Sequence, residues 1–351
     1  MKKRIVWVDI AKYICIMIVM IEHVETHTDV VTCFLVPFAL QLFFFSAGYT
    51  HKPGQRAKAF FWKKVKTLLV PWLVFGLFDI MVSQLFSFQE HDLMFDLKWN
   101  FMQVRGFHGK LWFVAAIFVA YIPFYYFVEW FEKKEASPKN KRSLTFLLIS
   151  YALFSLALIY TQAMDPSLLP WNTTELPWHM DYAFIGMFFM FLGYLFRKEH
   201  EAVFDKLNTR LNRLILLLVY SALVYAPYFV VIPERLFYIM AKVIVPITGL
   251  YLAIAYSKII PPLRYLTYVG ENTLIIFGLH GKLMGFLQGL FRHFAGGIYS
   301  IILSNTAYSA FFSIFQSVLM SVILIVPCYI INRWFPFVLG KSMKKPKERT
   351  S

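Results

Sequence analysis

The chain has 351 residues, 59% of them hydrophobic and only 16% charged. Its mean hydropathy of +0.58 excludes an ordinary soluble globular protein. The absence of alternating ten-residue strand patterns excludes a membrane β-barrel. A net charge of +15 invites a nucleic-acid partner, but its distribution along the chain removes that reading.

Apolar runs predict an all-α integral membrane protein of about ten transmembrane helices, over 5–22, 31–50, 66–87, 110–130, 144–163, 179–196, 211–232, 236–257, 270–290 and 309–331. Residues 1–340 form one membrane domain and 341–351 a short basic tail. The first run follows Met1-Lys2-Lys3-Arg4 as a signal peptide would. It holds Asp9 and Lys12 and has no small-x-small cleavage pattern, so it reads as a retained helix. The longest stretch between spans is about 88–109, and the semi-apolar 292–308 is assigned to the membrane interface. With the N-terminus in the cytoplasm, 27 of the 35 Lys and Arg fall in cytoplasmic segments and 5 outside; Lys12, Lys242 and Lys282 lie within spans. That asymmetry places both termini in the cytoplasm and makes the basic charge a topology signal. Cys15, Cys33 and Cys328 stand singly in apolar runs, as small hydrophobes.

Ionisable groups inside spans ask for a reason, because each costs several kcal/mol in hydrocarbon. In the first span His23 follows Lys12 by eleven residues. That spacing sets both on one helix face, separated by roughly 16 Å of rise. A cation at the cytoplasmic end and a base further up suit a long, anionic cofactor. Lys63, Lys64 and Lys66, with Arg56 and Lys58, follow the second span and form a basic mouth on the same side. Lys12 and Asp9, three residues apart, can also simply pair. Ser46, Gly48 and Tyr49 end the second span, where small residues let a ligand or another helix approach the backbone. At the outer end, His23 lies in a polar stretch from Glu22 to Asp29. Glu22 or Glu25 is a candidate to orient it, as is Asp181 at the start of the sixth span. Lys242, His280 and Lys282 are candidates to stabilise an oxyanion, and His108 and Lys110 open the fourth span nearby. A metal held by His23, His27 and His280 lacks a supporting pattern, so the site is read as metal-free. Gly270-Glu271-Asn272-Thr273 opens the ninth span, with Glu271 and Asn272 able to cap it.

Arg4-x-x-Trp7-Val8-Asp9-Ile10-Ala11-Lys12, with His23 beyond, resembles the opening of membrane-bound acyltransferase family 3, in particular its sugar O-acetylase branch. Phe45-Ser46-Ala47-Gly48-Tyr49 is similar to that family's second-helix Ser-Gly-Tyr motif, with an inserted Ala. Lys66 to Trp72, Leu111-Trp112-Phe113-Val114, Asp181 with Gly193-Tyr194, and Gly270 to His280 resemble later motifs in the same order, from about residue 4 to 335. The resemblance implies ten helices around an acyl-CoA channel, a catalytic His23, and a cation at Lys12 touching CoA where relatives carry Arg. Glu22 stands where the family usually has Gly.

The expected activity is transfer of an acetyl or other short acyl group from cytoplasmic acetyl-CoA to a hydroxyl of a cell-envelope polysaccharide or lipid-linked sugar. His23 would act as base or acyl carrier. The expected setting is the bacterial plasma membrane, with the lipid bilayer, acyl-CoA and a glycan as partners and no nucleic acid. The sequence leaves homo-oligomerisation open. A transporter or flippase would also explain buried charge and many helices, as would a sensory membrane scaffold. Absent internal repeats and the Lys12–His23 register favour the acyltransferase.

Overall fold

The computed structural model describes residues 5–24, 26, 29–86, 92–105, 107, 110–134 and 139–341. With no water in a bilayer core, each backbone N–H and C=O must be paired within the chain, and long apolar runs therefore fold as helices. Among the described residues there is no strand beyond one isolated bridge between Val104 and Phe107. In order the helices are α1 (Val6–His23), α2 (Asp29–Tyr49), α3 (Ala57–Lys64), α4 (Val70–Phe86), α5 (Leu93–Met102), α6 (Trp112–Lys133), α7 (Lys139–Ala163) and α8 (Ala183–Leu195). They continue with α9 (Glu201–Leu207), α10 (Arg210–Phe229), α11 (Glu234–Ile239), α12 (Val245–Ser257), α13 (Arg264–Glu271), α14 (Thr273–Ser304), α15 (Thr306–Ile323) and α16 (Ile325–Trp334).

Among the described residues, nine helical stretches are long and apolar enough to cross a membrane. Several are composites: α3 runs through a π-helical turn at Val65–Leu69 into α4, α8 through one at Phe196–His200 into α9, and α11 through one at Met240–Ile244 into α12. A tenth helix, α1, is 18 residues long and carries Asp9, Lys12 and Glu22. Polar caps set several ends. Asp92 accepts from the Met94 and Phe95 N–H groups, Thr209 from Asn212, and Asn305 from Ala307 and Tyr308.

The connections between spans carry further helix. Residues 292–304 continue α14, bent at Ala295 where φ is −136°. Between α4 and α6 lies a further helix, α5, started by the Asp92 cap. Asn272 does not cap α14: its amide donates to Tyr268 O at 2.8 Å, and its carbonyl accepts from Asn332 at 2.6 Å.

Two elements are largely buried, α8 and α1. In α1 almost every apolar side chain from Val8 to Ile21 is covered, and the helix packs against α2, α12, α13, α14 and α15. A Cβ on Gly270 would stand 1.9 Å from Asp9 O, so α13 touches α1 backbone to backbone. A second close crossing joins α2 and α8. A Cβ on Gly48 would lie 1.8 Å from Met190 O, and one on Gly193 would lie 2.1 Å from Phe45 O. Each helix offers a glycine to the other's backbone, which is how helices gain packing energy in a solvent as apolar as their side chains.

Candidate functional site

Both ends of α1 open onto cavities. At the Lys12 end a cavity of about 680 Å³ is walled by Asp9 and Lys12, the α2–α3 connection (Thr50, His51, Lys52), Lys63 and Lys64, and Arg197. Five cations converge there from four separate segments. Two are held in place by the fold: the Lys64 ammonium sits 3.5 Å from the Tyr121 ring centre, and Arg197 donates to Tyr49 O at 3.1 Å. Burial, helped by the charge on Lys64, pushes His51 down to about 4, so its imidazole is neutral at physiological pH. Such a bay, with low-dielectric walls and one sign of excess charge, attracts a polyanion.

Of the predicted cofactor residues, Lys12, Lys63 and Lys64 line this bay and four others do not. Lys66 instead lies over the Trp62 ring at 5.2 Å. Gly48 faces the Met190 backbone, so its lack of a side chain serves the α2–α8 crossing. Ser46 is fully buried, and the Tyr49 hydroxyl donates to Glu201 at 2.7 Å. Within that motif Gly48 admits a helix, while Ala47 between Ser46 and Gly48 lines the bay. Lys52, His51 and Arg197 were missed, although Lys52 and Arg197 are flanking charges of the kind counted for topology.

At the other end of α1, His23 meets His280 of α14, ring centres 5.2 Å apart and planes at 82°. His23 is exposed and His280 buried. His23 Nδ1 contacts Val19 O at 2.6 Å, and His280 Nδ1 contacts Phe277 O at 2.8 Å. A carbonyl can only accept, so both imidazoles carry a hydrogen on Nδ1, and in the neutral ring the lone pair is on Nε2. His23 is thus oriented by its own helix. Glu22, predicted as its orienter, lines a different space. That space is a cavity of about 850 Å³ whose walls also include Lys242, Gln41, Tyr182, Glu175, His179 and Asp181.

Two further candidates have partners of their own. Lys282 bonds Ser83 at 2.5 Å and Asp79 at 3.2 Å, and Lys110 bonds the other oxygen of Asp79 at 2.6 Å. A cation committed to a carboxylate on α4 is not poised for an oxyanion beside His23. Asp181 accepts from Leu176 N–H at 2.8 Å and from His179 Nδ1 at 3.1 Å, so it serves His179. Glu25, His27 and His108 lie outside the described residues.

Two features escaped sequence reading. His179 is 1% exposed between Glu175 and Asp181, at 2.8 and 3.0 Å. The other is a buried polar face on α15, with Ser309, Ser313, Gln316, Ser317 and Ser321 turned inward and Ser313 bonded to Thr26 just past α1. Its spacing of four, three, one and four residues, inside a span, was the available signal.

A histidine with a free Nε2 can take a proton from a hydroxyl or accept an acyl group, and the distant cationic bay can anchor a phosphorylated carrier. A family model described as an acyltransferase domain matches residues 5–333. No curated protein and no solved structure matches the chain. The match runs from the first turn of α1 to the last of α16, and the chain belongs to membrane-bound acyltransferase family 3.

Proposed function

We propose that this membrane acyltransferase moves a short acyl group, most simply acetyl, from acyl-CoA to a hydroxyl of a cell-envelope polysaccharide or lipid-linked sugar. The Lys12 end faces the cytoplasm in this reading, both termini lie on that side, and the host membrane is a bacterial plasma membrane. The observation that carries the reading is the pairing along α1 of a five-cation bay with a histidine pair about 16 Å further up the same helix. CoA phosphates dock among Lys12, Lys52, Lys63, Lys64 and Arg197. The pantetheine arm runs along the Lys12–Ile16–Val19–His23 face and brings the thioester to His23.

His23 Nε2 removes the proton of the acceptor hydroxyl as its oxygen attacks the thioester carbonyl. The tetrahedral intermediate collapses with loss of the CoA thiolate, which takes the proton back from His23. Donation of Nδ1–H to Val19 O keeps Nε2 basic throughout. Lys242 and Gln41, on the wall of the larger cavity, hold the acceptor. The two cavities share no lining residue, so the thioester must enter between packed helices.

The test is transfer of labelled acetyl from acetyl-CoA to an envelope-lipid extract by membranes containing the protein. Transfer that disappears in His23→Ala supports the reading. Transfer that survives it removes His23 from the chemistry. A labelled His23 adduct trapped by acid quench would make the histidine an acyl carrier and not a base.

A further inference from the structure

The Glu175, His179 and Asp181 side chains stand apart from the His23–His280 pair and have no part in the transfer step above. They lie in the wall of the 850 Å³ cavity, just before α8. The backbone that carries them is unusual: Trp178 and His179 have φ of 57° and 53°, the left-handed region, with neither a glycine.

The chemistry there is unbalanced. His179 Nδ1 has Asp181 Oδ1 at 3.1 Å, Asp181 Oδ2 at 3.0 Å and Glu175 Oε2 at 2.8 Å. A neutral imidazole nitrogen brings one hydrogen at most. Asp181 Oδ2, on a side chain 1% exposed, and Glu175 Oε2 are both buried and without a hydrogen bond among the described residues. The far nitrogen of His179, Nε2, is buried and unbonded as well. The nearby cation, Arg105, reaches only the other oxygen of Glu175, at 3.8 Å, while its guanidinium lies over Trp112. Carboxylate oxygens from two side chains therefore crowd one imidazole nitrogen that brings at most one hydrogen for all of them.

We propose that Glu175, His179 and Asp181 bind a divalent cation of the Mn²⁺ or Zn²⁺ kind. The donor atoms lie within 4.8 Å of one another. Ligands about 2.1 Å from one cation lie about 3.0 Å apart in an octahedral sphere and about 3.4 Å apart in a tetrahedral one, and the nitrogen–oxygen distances here are 2.8, 3.0 and 3.1 Å. Ca²⁺, with ligands at about 2.3–2.6 Å, needs a wider set and more oxygens. An imidazole among the donors also favours the transition-series ion. Ligation through Nδ1 puts the histidine's hydrogen on Nε2. On the cavity side the coordination sphere is open, which suits a vicinal diol or a phosphate of the acceptor. That last role rests on the acyl-transfer reading; the cation site does not.

The test is Mn²⁺ binding to the full-length protein in detergent after chelator treatment, followed by loss of the free-ion electron paramagnetic resonance signal, with no substrate present. The expected result is one Mn²⁺ per chain, displaced by equimolar Zn²⁺ but not by excess Ca²⁺. His179→Ala, Asp181→Asn and Glu175→Gln should each weaken binding at least tenfold. Asp181→Asn keeps an oxygen for Leu176 N–H, so its fold can be checked by an unchanged melting temperature. Asp92→Asn, in the separate acidic pocket beside α5, should bind as the native chain does. The proposal is overturned by absence of saturable binding to the native protein, by tight binding retained in Glu175→Gln/Asp181→Asn, or by loss of binding in Asp92→Asn alone. Transfer activity is not read, so failure here leaves the acyltransferase reading standing.

Discussion

The proposed separation of a CoA anchor at Lys12 and a base at His23 predicts a clean split of kinetic constants. His23→Ala removes a general base, an effect of about 10²–10⁴-fold on kcat, with little change in KM for acyl-CoA. Lys12→Ala removes a charge-assisted contact to a phosphate, worth about 1.5–3 kcal/mol, which corresponds to a KM raised about 10–150-fold. Its direct influence on the reacting atoms is small. Over a rise of roughly 16 Å, at an effective dielectric constant of 20, one charge contributes about 1 kcal/mol, or at most about sixfold in kcat. Lys12→Arg should keep the charge and restore a KM near or below the native value. The assay is steady-state transfer of labelled acetyl in proteoliposomes at varied acetyl-CoA and saturating acceptor. A loss of more than 100-fold in kcat for Lys12→Ala at unchanged KM would refute the placement of CoA. So would a tenfold or smaller kcat loss for His23→Ala.

Other consequences can be checked without a known acceptor. Gly193→Ala pushes a methyl into the Phe45 carbonyl across the α2–α8 crossing and should cost about 1–3 kcal/mol, seen as a lower melting temperature. Gly289→Ala meets nothing within 4 Å and should not lower it; equal losses at both positions would reject the packing account. His51 has its folded pKa near 4 against an ordinary 6.5, so the unfolded chain binds the extra proton first. Stability is then fully present above pH 6.5 and falls as the pH drops toward 4, by about 3 kcal/mol at most. His51→Phe should flatten melting temperature against pH across that window, and an unaltered slope would show that His51 is not the group responsible. Lys282→Gln should lower stability by breaking the contact with Asp79 while leaving kcat within tenfold; a kcat loss above 100-fold at native stability would return Lys282 to the chemistry.

Most of the helical framework was legible because a bilayer leaves the backbone no alternative to helix wherever some twenty apolar residues run together. α2, α6, α7 and α10 begin and end within a few residues of the apolar runs that announced them. The Lys12–His23 register was legible for a simpler reason: both residues lie on one helix, so geometry follows from spacing alone. What was not legible depends on pairs distant in sequence. Lys282 looked like a free cation until Asp79, on the fourth helix, proved to be its partner. Gly48 looked like room for a cofactor until Met190 proved to fill it. His179 gave no warning because its significance lies in two unbonded oxygens, which no spacing rule encodes. The three π-helical turns were equally hidden. Each holds a lysine or arginine, and those of Arg197 and Lys242 bring their cations to cavity walls.

The burial of α1 also bears on how the protein is made. α1 is deeply buried in the finished bundle and carries Asp9, Lys12 and Glu22. It meets the membrane long before α13, α14 and α15, which later enclose it, have been synthesised. At about 5–20 residues per second, the stretch from His23 to Thr273 takes roughly 10–50 s to produce. Through that interval α1 must wait beside α2 and whatever the insertion machinery supplies, its polar groups uncovered. The His23–His280 pair cannot exist until the start of α14 has been made. A ribosome that stalls before α14 thus leaves most of the described helices without the histidine pair.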